Sequence, residues 1–303
     1  MSLDSTFFFY LSAIGYFAAF ICYLMNATTR PSENQGKPES PGQGLGITAQ
    51  DGLAPAYGSV WGRWATRITI VTVALSTVGV VLRTIALSRS SEMFMPLPVS
   101  NTYETLAFFS WAIPLAYLFF EWRYRLKTLG IFATGIAFLL IALGSSPLVP
   151  KEVSPLVPAL QSYWLVAHVL FTLSGEALFS LAFAASLVLL WRAAHGQPWE
   201  SLKRLDEISY RAVAVGFPLF TLGGLVFGAI WAQRAWGRYW SWDPKEVWTL
   251  ITWLIYALYL HGRVRWGWQD RRTAWLLVIG YVASIFTWFG VNYLLPGLHS
   301  YAG

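Results

Sequence analysis

Apolar runs about twenty residues long recur along the whole of this 303-residue chain. Each is long enough to cross a hydrocarbon core of about 30 Å as a helix. Charged residues make up only 12% of the sequence, against 56% hydrophobic, whereas a soluble domain carries about a quarter charged. The pattern predicts an all-α, polytopic membrane helical bundle of about eight transmembrane helices. The spans fall near 6–25, 67–87, 102–121, 128–143, 164–191, 211–232, 247–261 and 274–295.

This divides the chain into a first helix (1–25), a linker (26–66) and a core (67–303) with a tryptophan-rich loop at 231–247. The linker contains RPSENQGKPESPGQGLG, whose Pro, Gly, Ser and Gln content reads as flexible. The N-terminus MSLDSTFFFY has no basic residue before its apolar run, so that run reads as a retained span rather than a signal peptide.

Lys and Arg placement sets the orientation. The first, third, fifth and seventh loops hold 15 basic residues, and the even-numbered loops hold 5: Arg89, Lys151, Arg234, Arg238 and Lys245. The odd loops are therefore expected in the cytoplasm, with both termini and the tryptophan loop extracytoplasmic. The net charge of +6 reflects this topology and gives no reason to invoke nucleic acid. Cys22 is the single cysteine, so neither an internal disulfide nor a CxxC pair is available. Any thiol chemistry must use thiols from another molecule.

Four histidines are sorted by this topology. His168, at the outer end of the fifth span, and His299, beyond the last, share the outer surface with the tryptophan loop. Two neutral imidazoles from separate elements can bind a haem iron on opposite faces. His261 lies at the cytoplasmic end of the seventh span, where it is either structural or needs an axial partner from another chain. His195, in the polar loop AAHGQPWE, reads as an ordinary exposed group.

The loop WGRYWSWDPKE (236–246) concentrates three tryptophans in eleven positions. An interfacial aromatic belt accounts for Trp231 and Trp248, which flank it. It accounts less well for Trp236, Trp240 and Trp242, whose faces suit a flat porphyrin. Arg234, Arg238 and Lys245 are candidate partners for its propionates. Asp243 followed by Pro244 and Glu246 predicts an N-cap with a capping box at the start of the seventh helix, and Asn101 with Glu104 suggests the same device on the third. Glu176, in mid-span, is either hydrogen-bonded in the bundle or functional. Arg83, inside the second span, either snorkels or serves as a counter-ion.

The WGxxWxWD pattern formed by Trp236, Gly237, Trp240, Trp242 and Asp243 resembles the signature of the tryptophan-rich (WWD) haem-handling proteins. NTYE (101–104), LDEISYRAVAVGFP (205–218), ITWLIYALYLH (251–261) and GVNYLLPGLHSYA (290–302) extend the likeness from about residue 67 onward. They are similar to the CcsA/ResC-type subunit of System II cytochrome c synthases. The resemblance implies haem b as substrate, held outside by His168 and His299 and earlier near His261, whose axial mate comes from a CcsB/ResB-type partner. It further implies attachment of haem to a CxxCH segment of apocytochrome c, with a thioredoxin-like protein reducing the thiols. The site would be a bacterial plasma membrane or a thylakoid membrane. Competing readings are a haem exporter without ligase activity, a quinone-linked b-type cytochrome and a solute transporter.

Overall fold

A computed structural model describes residues 4–28, 59–90, 98–99, 101–153 and 160–298. Among them are eight long helices and no strand. They are α1 (Ser5–Thr28), α2 (Val60–Ser90), α3 (Thr102–Tyr124), α4 (Thr128–Ser145), α5 (Tyr163–Ala194), α6 (Trp199–Trp236), α7 (Pro244–Trp266) and α8 (Arg271–Leu294). Seven are long and apolar enough to cross a membrane. The other, α7, carries Lys245, Glu246, Arg263 and Arg265 at its ends, yet its 23 residues span about 35 Å at 1.5 Å each. The chain is an all-α polytopic membrane bundle.

Two boundaries differ from the sequence expectation. Helix α2 begins at Val60, inside the stretch read as linker; of that linker, residues 29–58 lie outside the described residues. Helix α6 begins twelve residues before the expected 211. Its first turns bury Leu202, Leu205, Ile208 and Ala212 on one face, the i, i+3 spacing of an amphipathic helix. Its charges pair along the other face, Lys203 with Glu200 at 3.2 Å and Arg211 with Glu207 at 2.6 Å. Glu200, Lys203, Glu207 and Arg211 lie on the solvated side of the helix.

Helix α1 packs on α2 and α4, α3 on α4 and α5, and α5 on α6 and α8, with α7 against α8 and α6. The α5–α6 contact is close enough that a Cβ on Gly175 would sit 2.8 Å from the Gly216 carbonyl oxygen. Such small-residue crossings let helix backbones approach in a membrane.

Two buried polar clusters fasten the first half. Between α2 and α3, Arg83 Nε meets Glu104 Oε1 at 2.8 Å, and its two other nitrogens donate to the Lys151 and Glu152 carbonyls at 2.7 and 3.0 Å. Arg83 is thus an internal tie rather than a snorkelling side chain. At the opposite end, Glu121 accepts from Tyr23 and Tyr117, both at 2.6 Å, and from Thr66, while Lys127 lies 3.1 Å away. One carboxylate thereby joins α1, α2, α3 and the start of α4. Paired and hydrogen-bonded in this way, buried charge is tolerated in a bundle interior.

Candidate functional site

At the end of the bundle that carries the tryptophan loop, α3, α5, α6, α7 and α8 surround a cavity. It holds about 1260 Å³ of empty space, its open mouth included. Helix α5 contributes a stripe of His168, Thr172 and Glu176, spaced four apart and so on one face. From His168 to Glu176 the stripe descends roughly 12 Å into the bundle.

Two π-helical stretches border this cavity, Thr221–Phe227 in α6 and Phe286–Gly290 in α8. Such wide turns are uncommon and often accompany functional sites. The first has a visible use here. The Gly223 carbonyl takes the Gly228 amide across the wide turn and lies 2.8 Å from His168 Nδ1. A carbonyl only accepts, so Nδ1 carries the proton and Nε2 holds the ring's lone pair. Metal-binding histidines are commonly oriented through the other ring nitrogen in this way.

The His168 ring stacks on Trp231 with centroids 5.8 Å apart and planes 7° from parallel. Trp231 in turn meets Trp236 edge-on at 4.8 Å. Trp231 is 6% exposed, so it is part of this wall and not of an interfacial belt, as its position at a helix end suggested. Trp236 and Trp240 line the cavity. Trp242 does not: it is 71% exposed, touches Trp240 edge-on at 5.8 Å and has a positive φ of 60°. Such a φ is strained for a bulky residue. Of the three loop tryptophans expected from sequence to form a platform, two line the cavity, and Trp231 lines it beside them.

The floor is polar. Glu176 accepts from Ser284 Oγ at 2.9 Å and from the Trp288 indole N–H. Lys245 Nζ sits 4.9 Å over the Trp288 ring and donates to Asn292 Oδ1 at 3.1 Å. Trp288 thus presents its positive edge to a carboxylate and its negative face to an ammonium. Lys245 points into the cavity, whereas Arg234 and Arg238 are exposed on the loop side. Trp288 and Asn292 were not foreseen; their i, i+4 spacing, facing Glu176 across α5 and α8, was the available signal.

Asp243 caps α7 as expected. Its Oδ2 accepts from the Lys245 amide at 3.0 Å, and the Asp243 amide donates to Glu246 Oε2 at 3.2 Å. Asn101 caps α3 by accepting from the Glu104 amide at 2.9 Å, but the Glu104 carboxylate is engaged with Arg83. His261 is exposed at the far end of α7, 4.7 Å edge-on from Trp266, and is not part of the cavity. His195 ends α5, also exposed, with Nδ1 2.7 Å from the Trp191 carbonyl. His299 lies outside the described residues, which end at Leu298.

Residues 99–299 match the family model described as Cytochrome C assembly protein. The cavity and its five helices fall within that match. The chain belongs to this family. The cytochrome c biogenesis proteins CcsA of Guillardia theta and Gloeobacter violaceus are 36% and 37% identical to it, each over 67% of this chain and over 76% and 78% of their own lengths. CcsA of a Prochlorococcus marinus strain is 39% identical over 67% of this chain and 75% of its own. Among solved structures, Cytochrome c Heme Lyase CcmF superposes on 95% of this chain with a TM-score of 0.67 at 14% identity. The chain spans about half of that protein, 47%, and the likeness is one of fold. This family member is thus a CcsA-type cytochrome c biogenesis protein with an integral membrane bundle.

Proposed function

We propose that the cavity holds haem b as substrate and presents it, at the extracytoplasmic face, for thioether attachment to the CxxCH segment of an apocytochrome c. The observation that carries this reading is His168: an imidazole locked by a backbone carbonyl, stacked on Trp231 and set in the wall of an aromatic cavity. The 15-to-5 distribution of basic residues supports placing that end outside. His299 is the proposed second axial ligand. Lys245, inside the cavity, and Arg238, exposed on the tryptophan loop, are the proposed propionate partners. Trp236 and Trp240 flank the ring plane, while Asp243 acts on the loop rather than on the ligand.

The reaction is an addition. Each cysteine S–H adds across a vinyl C=C, sulfur to one carbon and hydrogen to the other, with no net change of oxidation state. On this reading the chain's contribution is orientation of two reactants. The thiols come from the acceptor, in keeping with the single buried Cys22. An exposed His261 at the far end of α7 suits an axial role shared with a CcsB/ResB-type subunit, haem being taken up there before it moves outward.

The test is co-expression of the chain, that subunit and a c-type apocytochrome in a host without other synthases. Covalent haem on the acceptor, lost with His168→Ala, is the expected result. Haem bound by the purified chain with no covalent product would reduce the activity to export and presentation. Absence of bound haem, or haem binding unaffected by His168→Ala and His299→Ala, would refute the site itself.

A further inference from the structure

Glu176 and Lys245 are separated by a single side chain. The Glu176 carboxylate, 3% exposed, is held by neutral donors, Ser284 Oγ on one oxygen and the Trp288 indole N–H on the other. The Lys245 ammonium lies 4.9 Å from the centre of the same indole and donates to Asn292 Oδ1. Among the described residues neither charge forms an ion pair. Opposite charges attract strongly in a low-dielectric interior, and buried charges are ordinarily paired. Three other buried carboxylates of this bundle obey that rule: Glu104 meets Arg83 at 2.8 Å, Glu121 meets Lys127 at 3.1 Å and Asp206 meets Arg263 at 2.5 Å. Glu176 and Lys245 depart from it, and Trp288 stands between them.

The ammonium is left open toward the cavity, which Lys245 lines. It has three donors, of which Asn292 takes one. It also stands in the first turn of α7, at the positive end of the helix dipole, where an anion is favoured and a cation is not. The neighbouring carboxylates of Asp243 and Glu246 are engaged in the capping box. A group so placed is complemented by a carboxylate arriving from the cavity. We propose that Trp288 is a specificity-determining residue: its ring keeps Glu176 from closing onto Lys245 and so reserves the ammonium for a carboxylate side chain of the ligand. The indole does this with both of its poles, the N–H on the carboxylate and the π face on the ammonium. The inference deepens the proposed pairing of Lys245 with a haem propionate and rests on that pairing. It assigns to Trp288 the discrimination between anionic and neutral porphyrins.

The consequence is a dependence between two positions. Without the indole, Lys245 closes onto Glu176, and a propionate must compete with that internal carboxylate. With Glu176→Gln the competitor is gone. The experiment titrates haem and haem dimethyl ester into the purified full chain stripped of pigment. The proteins are wild type, Trp288→Leu, Glu176→Gln, the double variant, Lys245→Met and His168→Ala, with thermal unfolding followed in parallel. The quantity read is the preference for haem over its ester. Packing lost with the indole weakens both ligands alike and cancels in that ratio.

Trp288→Leu is expected to lower the preference roughly tenfold, the scale of a hydrogen bond to a charged group, toward that of Lys245→Met. The same substitution with Glu176→Gln present should lower it far less, so the two changes are not additive. An unchanged preference in Trp288→Leu overturns the inference. An equal loss with and without Glu176→Gln overturns it too, since Trp288 then acts without regard to Glu176; in both cases the haem site stands. If Lys245→Met leaves the preference unchanged while His168→Ala abolishes binding, the propionate pairing fails and the inference with it. Haem binding that does not depend on His168 refutes the underlying reading as a whole. Should Trp288→Leu not fold, Trp288→Phe, which keeps a ring but no N–H for Glu176, is read by the same criteria.

Discussion

Gly223→Ala is the sharpest test of how this bundle holds an imidazole. A methyl group there would meet the Thr172 amide nitrogen, Thr172 Oγ1 at 2.6 Å and the Phe171 carbonyl carbon at 2.8 Å. Two of these are backbone atoms of α5 and cannot swing aside, so the π-helical stretch of α6 must move away. The Gly223 carbonyl moves with it, from 2.8 Å toward separations of about 3.5 Å at which a hydrogen bond is lost. The His168 ring then has no fixed tautomer and no fixed plane against Trp231. Losing a partner that orients a metal-binding histidine costs roughly 10–100-fold in affinity, or about 1.4–2.7 kcal/mol.

The assay is titration of haem into purified protein stripped of pigment, followed by absorbance, with thermal unfolding as a check on the fold. Gly224→Ala is the control, because its Cβ faces the Thr249 methyl at 3.1 Å and leaves the His168 contact alone. Gly223→Ala should weaken haem binding strongly and Gly224→Ala much less. Added imidazole should recover part of the loss in the first. Equal haem affinity and an unchanged spectrum in Gly223→Ala and wild type would show that the Gly223 carbonyl does not orient the ligand. The explanation of the π-helical stretch would then be wrong.

Three further outcomes follow from the same contacts. Arg83→Met leaves Glu104 buried without its partner and should lower stability by about 3–5 kcal/mol; Arg83→Met with Glu104→Leu should recover much of this, as thermal unfolding in detergent would register. Lys245→Met should weaken binding of haem on the order of tenfold or more, the scale of a hydrogen bond to a charged group. It should scarcely change binding of the haem dimethyl ester, which titration of both ligands would test. His261→Ala should leave haem binding at the His168 cavity intact in the isolated chain, yet reduce covalent haem on the acceptor when the partner subunit is present.

The helical plan was legible because a lipid-spanning helix leaves a long apolar record, and seven of the eight long helices carry that record plainly. The capping box at Asp243 was legible for a similar reason, since a cap depends only on residues within one turn. The beginning of α6 was misjudged where charge on one face hid apolar periodicity on the other. The π-helical stretches left no sign that composition or spacing reveals. They arise from tertiary packing: Gly223 against Thr172 in one case, and in the other the aromatic cluster that sets Trp288 against Glu176 and Lys245. Arg83 and Glu104 were each noticed, the first as a snorkelling group or a counter-ion and the second as part of a cap; only the packing of α2 on α3 makes them a pair.

Trp231 and Trp242 show why aromatic density alone does not locate a binding surface. Both are tryptophans near the same membrane boundary, and by sequence Trp242, inside the motif, has the stronger claim to the ligand. The positive φ at Trp242 turns the chain immediately before the Asp243 cap, and its ring is left largely in the open. Trp231, five residues before the motif, sits on the last turns of α6, beyond the π-helical stretch that carries the Gly223 carbonyl. One local distortion in α6 therefore serves both the imidazole and the ring that stacks on it. If that is so, Trp231→Leu should disturb haem affinity and the His168-dependent spectrum more than Trp242→Leu does. The reverse order would return the ligand to the loop and leave the α6 wall as packing.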